Sequence, residues 1–572
     1  MRHQQGPGGR SSITASPMFD AVIVGSGASG GWVAMQLAEA GLRVAVLEAG
    51  RALDPAADYT EHKRPWEMPL RGRRMPPRAA QEEQPIQKTC YQCDEYAHHL
   101  FIKDTEHPYS TPKERPFRWI RCRQVGGKSI TWGRQVYRLS DYDLKAASRD
   151  GFGVDWPLDY AELAPYYDRV ERFVGVSGQA ENLPQLPDGR FLPPMALTCG
   201  ERLARRVVRE KFGRTLTIGR VAILTAGVHG RPKCHYCGPC GRGCITRSYY
   251  SSPNATLPAA EATGRLTLIP NAVVSHVTVD GSSGAAKGVW YVDRTTHAHR
   301  EVTARVVVLC ASTLESTRIL LNSTSRQHPN GLGNSSGVLG RYLMDHVTGG
   351  GASGVLSMLD PKDDTRGNRP NGIYIARFRN LTERHPAFIR GYGFQGGANV
   401  VKWGHAHRLD GFGPSFKQAV RDSRPWTINF GGFGEGLPRH ESHCRLDDRL
   451  KDAWGIPALH IDLHTGDNER RMVRDMADTA AEMLEAVGAT EIRRNASGPG
   501  GAIHEVGTAR MGNDPKTSFV NRWQQSHDVK NLFLMDGTVF PSSGCQNPTI
   551  TIMALAARAC DYLVEELRAG RV

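Results

Sequence analysis

The stretch FDAVIVGSGASGGWVAMQLAEAGLRVAVLEAGR, residues 19–51, constrains the fold more than any other part of the chain. An apolar run, Ala21 to Val24, leads into Gly25-x-Gly27-x-x-Gly30. Helical spacing of Trp32, Val33, Leu37 and Ala38 follows, closed by Gly41, and Val44 to Leu47 is a second apolar run ending at Glu48. Strand, glycine turn, helix, strand and acid in that order form a βαβ unit whose turn cradles a dinucleotide. Gly25 permits the tight turn, Gly27 admits a pyrophosphate, and Gly30 lets the helix pack on the strand. Free N–H groups and the positive dipole end of the helix face the phosphates, while Glu48 accepts from ribose hydroxyls. Ser26 lies inside the loop and is grouped with these contacts.

The motif alone does not separate FAD from NAD. Its position near the start of a 572-residue chain, and the absence of a second glycine fingerprint downstream, favour FAD. Composition is that of a globular protein, 40% hydrophobic and 23% charged, and no apolar run reaches transmembrane length. The +14 formal charge is scattered, its densest cluster being Arg71, Arg73, Arg74 and Arg78. That pattern suits a solvated face, an acidic redox partner or a membrane surface, and argues against nucleic acid. Residues 1–17 have no apolar segment and read as a disordered tail without a secretion signal.

Residues 51–118 read as a loop-rich excursion. In RCRQVGGKSITWGRQVYRL, Gly126, Gly127 and Ser129, with Thr131, Trp132 and Gly133, suit close backbone approach to a flat ligand. Helical spacing covers 157–176, 199–212, 314–321 and 468–487, the last with Met472, Met476 and Met483 as core. Val273 lies in a strand-like run, and Val306 to Cys310 with Ala311 opens a second strand–turn–helix that extends the parallel sheet. Residues 345–465 suggest an antiparallel sheet. Near the end, Leu532 to Met535 is a strand running into Asp536-Gly537, and a helix beginning at Pro548–Thr549 offers its N-terminus to a flavin carbonyl. The fold class is therefore α/β: a Rossmann-like domain with a parallel sheet, plus a domain with an antiparallel sheet.

Twelve cysteines are present. Four form the compact run Cys234, Cys237, Cys240, Cys244. Thiolates are the soft ligands of iron–sulfur clusters; zinc, or free or disulfide-bonded cysteines, are the other readings. Cys90-x-x-Cys93 reads as a structural or disulfide pair, and the other six as buried small hydrophobes.

Three separated blocks, the N-terminal fingerprint, VGGKSITWG and HEVGT…NPTIT, occur in the order found in the glucose–methanol–choline (GMC) oxidoreductases, and the chain resembles that family over its whole length. The resemblance implies a discontinuous FAD domain (18–155, 235–345 and 500–572) and a substrate domain (156–234 and 346–499). It implies alcohol oxidation by hydride transfer to the flavin N5. His504 falls at the catalytic histidine of the family, and Asn547 at its second His or Asn. A neutral imidazole suits removal of the hydroxyl proton near pH 7, and Asn547 would hold the hydroxyl. In the pyranose-oxidase branch a histidine two residues after the GGxS serine carries FAD covalently; Thr131 stands there, so non-covalent FAD is expected.

A narrower resemblance is to the large subunits of bacterial glucoside 3-dehydrogenases, in which C-x5-C-x3-C binds a [3Fe-4S] cluster. Cys234, Cys240 and Cys244 match that spacing, and Cys237 is extra, which opens a [4Fe-4S] alternative. The implied activity is oxidation of a sugar or glycoside ring hydroxyl, at C3, to a ketone. Electrons would pass through an iron–sulfur cluster to a cytochrome c or quinone, with a small partner subunit carrying the export signal to the periplasm; a cytoplasmic location is the alternative. Arg390 and Gln395 are candidate sugar contacts. The alternative readings are an O₂-using sugar oxidase, a gluconate, fructose or sorbitol dehydrogenase and, more distantly, a basic zinc-containing binding protein.

Overall fold

The computed structural model describes residues 19–364, 367–401, 406, 409–498 and 501–572. The 1–17 tail lies outside these residues. Strands β1 (Phe19–Val24) and β2 (Val44–Leu47) pair in parallel with Ala21 opposite Val44, joined by the helix Ala28–Glu39. Gly41, φ +93°, turns the chain back. Strand β4 (Leu266–Ile269) pairs on the outer side of β2. On the inner side, β1 pairs in parallel with the second half of β7 (His299–Leu309), which also takes β17 (Leu532–Leu534) in parallel. Both Ala21–Val24 and Val306–Leu309 are buried, so they read as unbroken apolar runs rather than alternating ones.

The first half of β7 belongs to an antiparallel meander with β5 (Ala272–Val279) and β6 (Ala286–Asp293). One long strand therefore serves two sheets' worth of pairing. The strand–turn–helix expected at 306–321 is present, with its helix at Thr313–Asn322. The C-terminal helix Thr549–Arg568 packs on the helices Ala28–Glu39 and Tyr160–Val174 and closes one face of the main core.

An antiparallel sheet runs β15 (Thr490–Ala496), β9 (Gly350–Val355), β12 (Trp426–Gly434), β11 (Tyr392–Val400), β10 (Ile373–Ile375), β3 (Leu216–Ile218). The helix Asp467–Val487 lies on it and buries Met472, Met476 and Met483 completely. Gly432 and Gly434 of β12 leave room for the Met476 and Met472 sulfurs, which a Cβ would meet at 2.4 Å. A smaller antiparallel sheet runs β14 (Pro457–Asp462), β13 (His443–Lys451), β8 (Arg341–Met344), β16 (Val506–Thr508).

Candidate active site

The glycine turn opens onto a cavity of about 240 Å³. Gly25, at φ +98°, has no room for a side chain: a Cβ would lie 2.4 Å from the Cys310 carbonyl. A Cβ on Gly30 would lie 1.9 Å from the Gly25 carbonyl. Gly27 differs, because a Cβ there meets nothing within 4 Å and would project into the cavity mouth. That bare space at a helix N-terminus is where a pyrophosphate fits. Glu48 is buried and accepts from Ser26 N–H at 3.1 Å, Ser26 Oγ–H at 2.6 Å and Gly50 N–H at 3.0 Å. Burial raises its carboxyl above the usual range, and these bonds pull it back. Ser26 Oγ in turn accepts from Gly126 N–H at 2.9 Å, tying the first glycine loop to the second.

Gly127, Ser129, Trp132, Val273, Ala311, Asp536, Gly537 and Thr549 line the same cavity. The Asp536 carboxylate is engaged internally, by Ser316 Oγ–H and by Thr538 N–H and Oγ1–H. The walls fit FAD: an acid at the end of β2, bare glycines at the mouth, and the C-terminal helix presenting Thr549. Arg121 and Arg123 also line this cavity, Arg123 paired with Glu315. Neither was read from the sequence, although both sit in the RCRQVGG block where two nearby arginines were available as a signal. Both are engaged internally, since Arg121 also lies against Glu315 and donates to the His107 carbonyl.

A second cavity of about 480 Å³ abuts the first. Six residues wall both: Cys122, Lys128, Trp132, Ile503, His504 and Thr549. Thr131, Gly133, Gln395 and Asn547 line only the second. Its wall is largely apolar, with Phe101, Ile120, Trp132 and Phe433, and carries the polar side chains of Arg118, Arg134, Gln92 and Gln135. Arg390 lines neither cavity. It is buried, ion-paired to Glu435 at 3.1 Å and to Asp150, and donates to the Phe152 carbonyl at 2.6 Å. A guanidinium so engaged holds strands together, which is why a glycine-rich strand context did not distinguish it from Gln395.

His504 and Asn547 meet at the shared wall, Asn547 Nδ2 lying 3.4 Å from His504 Nε2. Gln395 Nε2 donates to Asn547 Oδ1 at 2.7 Å. Ile503, just before His504, takes φ +66°, a strained choice for a β-branched residue that aims the next side chain inward. A second histidine, not foreseen, stands behind: His346 Nδ1 is 2.9 Å from His504 Nδ1, and His346 Nε2 is 2.9 Å from the Gly544 carbonyl. The Asp345 carboxylate accepts from the backbone N–H groups of His346, His504 and Ala502. Burial and the neighbouring Glu505 push that carboxyl up to about 7. Burial, His346 and Lys128 hold the His504 imidazolium well below the ordinary histidine range. Lys128 Nζ pairs with Glu505 at 3.1 Å.

The cysteine run forms a loop beside the second cavity. Arg134 Nη1 donates to the Cys240 carbonyl at 3.1 Å. Cys234, Cys240 and Cys244 pack against Ile218, Val221 and Tyr249. Tyr236 N–H donates to Cys234 Sγ and Ser248 N–H to Cys244 Sγ, each at 3.3 Å. The donors suit an iron–sulfur cluster chemically. As folded, no three His, Cys, Asp or Glu side chains among the described residues gather as a metal-holding group. Cys90 and Cys93 stand as free thiols. Of the six remaining cysteines, Cys310, Cys444, Cys545 and Cys560 are buried, whereas Cys122 and Cys199 are only half-buried, Cys122 because it faces both cavities.

A family model described as GMC oxidoreductase matches residues 19–348, and a second of the same description matches 438–556. The chain belongs to the GMC oxidoreductases. It is thus an FAD-dependent oxidoreductase of CH–OH groups. It is 30% identical to a 2-methyl-1,2-propanediol dehydrogenase of Mycolicibacterium austroafricanum, covering 96% of each protein. It is 28% identical to a fructose dehydrogenase large subunit of Gluconobacter japonicus, covering 96% of this chain and 98% of that one. The structure of pyridoxine 4-oxidase from Mesorbium loti superposes with a TM-score of 0.60 at 18% identity, over 95% of this chain and 98% of that one, a likeness of fold. Among the described residues no helix is long and apolar enough to cross a membrane.

Proposed function

We propose that the protein is a dehydrogenase that oxidises a secondary ring hydroxyl of a sugar or glycoside to a ketone. The observation that supports this reading is the second cavity, which shares the His504 wall with the dinucleotide cradle and carries Asn547, Arg118, Arg134, Gln92 and Gln135 in its lining. Gly25, Gly27, Glu48, Gly127, Ser129 and Thr549 would hold FAD non-covalently, and the bound flavin would supply the hydride acceptor. His504 Nε2 takes the hydroxyl proton. Asn547, its oxygen held by Gln395, donates Nδ2–H to the hydroxyl oxygen and keeps the carbinol C–H turned toward the cradle. Arg118, Arg134, Gln92 and Gln135 supply hydrogen-bond donors for the remaining hydroxyls, which a small monohydric alcohol would leave unused.

C3 as the oxidised carbon follows from the sequence resemblance, as do the [4Fe-4S] or [3Fe-4S] cluster on Cys234, Cys237, Cys240 and Cys244, the small partner subunit, export to the periplasm, and a cytochrome c or quinone acceptor. The position of the cysteine loop, one hydrogen bond from the Arg134 wall, supports it as the electron exit. The test is anaerobic mixing of holoenzyme with a panel of sugars, glycosides and small diols, with NMR of the products. Glycosides are expected to bleach the flavin fastest and yield a 3-keto product. Bleaching by small diols alone would overturn the substrate reading.

A further inference from the structure

We propose that His346 is the positioning residue of the site: it holds His504 as the Nδ1–H tautomer and leaves Nε2 bare toward the alcohol. This rests on the reading of His504 as the base.

A backbone carbonyl only accepts hydrogen bonds. The Gly544 carbonyl lies 2.9 Å from His346 Nε2, so that nitrogen carries a proton. The His346 ring is buried, 1% exposed, and its imidazolium is pushed down to about 4 by burial. A neutral imidazole has one ring proton, so His346 Nδ1 is a lone pair. That lone pair faces His504 Nδ1 at 2.9 Å, and His504 Nδ1 must therefore donate. The same count then strips His504 Nε2 of its proton. Nε2 is the nitrogen that faces Asn547 Nδ2, while Asn547 Oδ1 accepts from Gln395 Nε2. A hydroxyl placed between the two accepts from Asn547 and donates to His504.

The fold places this pair beside two paired strands. Met344 of β8 pairs with Val506 of β16, and His346 and His504 each lie two residues beyond that last pair, on the segments leaving the two strands. Asp345 clamps the pair by accepting both backbone N–H groups. The charged groups around His504 are Lys128, with Glu505 paired to it, and Asp345. None of them contacts Nδ1, so the tautomer is set by His346.

The test uses FAD-loaded holoenzyme labelled with ¹⁵N-histidine and two-bond ¹⁵N–¹H NMR, with His504→Ala identifying the resonance. The expected spectrum shows His504 protonated at Nδ1 and bare at Nε2. In His346→Leu the Nε2–H form is expected to grow, and flavin reduction to slow about 100-fold with KM little changed. His346→Gln, whose amide oxygen can accept from His504 Nδ1–H, is expected to recover most of the rate. A wild-type spectrum with His504 protonated at Nε2 overturns the proposal even if His346→Leu fails to fold. So does a folded His346→Leu enzyme that reduces its flavin at the wild-type rate. Normal flavin reduction by His504→Ala would instead remove the base assignment, leaving the tautomer to be read from the spectrum.

Discussion

At the level of single side chains, the chemistry depends on an imidazole kept neutral. As the proposed base, His504 would work only when unprotonated, and burial, His346 and Lys128 depress its pKa below the usual 6.5 or so. The rate of flavin reduction is therefore expected to stay level as pH falls past 6.5 and to drop only in more acid solution. Removing the positive charge at Lys128 stabilises the imidazolium, so Lys128→Met is expected to move the acid limb to higher pH. Anaerobic stopped-flow reduction across a pH series measures both. His504 and Asn547 were named from the family blocks in which they fall, and Gln395 only as a candidate sugar contact; the structure brings the three side chains together, with Gln395 bonded to Asn547. His346 was not foreseen: it stands 158 residues from His504, and only strand pairing reveals that they touch. Arg390 shows the converse, since a buried salt bridge and a substrate contact look alike in sequence.

Among elements, the glycine turn separates binding from folding. A methyl on Gly27 enters open space, so Gly27→Ala is expected to keep the melting temperature of the apoprotein while FAD affinity falls at least tenfold, read by flavin fluorescence titration. A methyl on Gly30 collides with the Gly25 carbonyl, so Gly30→Ala is expected to cost about 3 kcal/mol of apoprotein stability in a denaturant titration. The βαβ unit, the helix Cys199–Phe212 and the helix Asp467–Val487 were readable because their apolar periodicity is uninterrupted. The double use of β7 was not, because a strand carries no mark of where its partner changes from antiparallel to parallel.

Across the whole molecule, Trp132 lines both cavities, and Arg134 lines the second and donates to the Cys240 carbonyl of the cysteine loop. The resemblance of three blocks in order anticipated the α/β architecture with its added antiparallel sheet. The small sheet of β8, β13, β14 and β16 was not anticipated, since its strands come from distant stretches of chain. If the loop is the exit for electrons, Cys240→Ser is expected to let sugar bleach the flavin at the normal rate while turnover with a protein acceptor is lost. Parallel assay of iron and acid-labile sulfide ties that loss to a cluster.

The central claim is that His504 removes the proton while the cradle receives the hydride. The direct measurement is anaerobic reduction of the visible flavin band in wild type and His504→Ala, each confirmed to hold FAD. The expected result is rapid bleaching of the first by a glycoside and at least 100-fold slower bleaching of the second. Equal rates in the two proteins would contradict it.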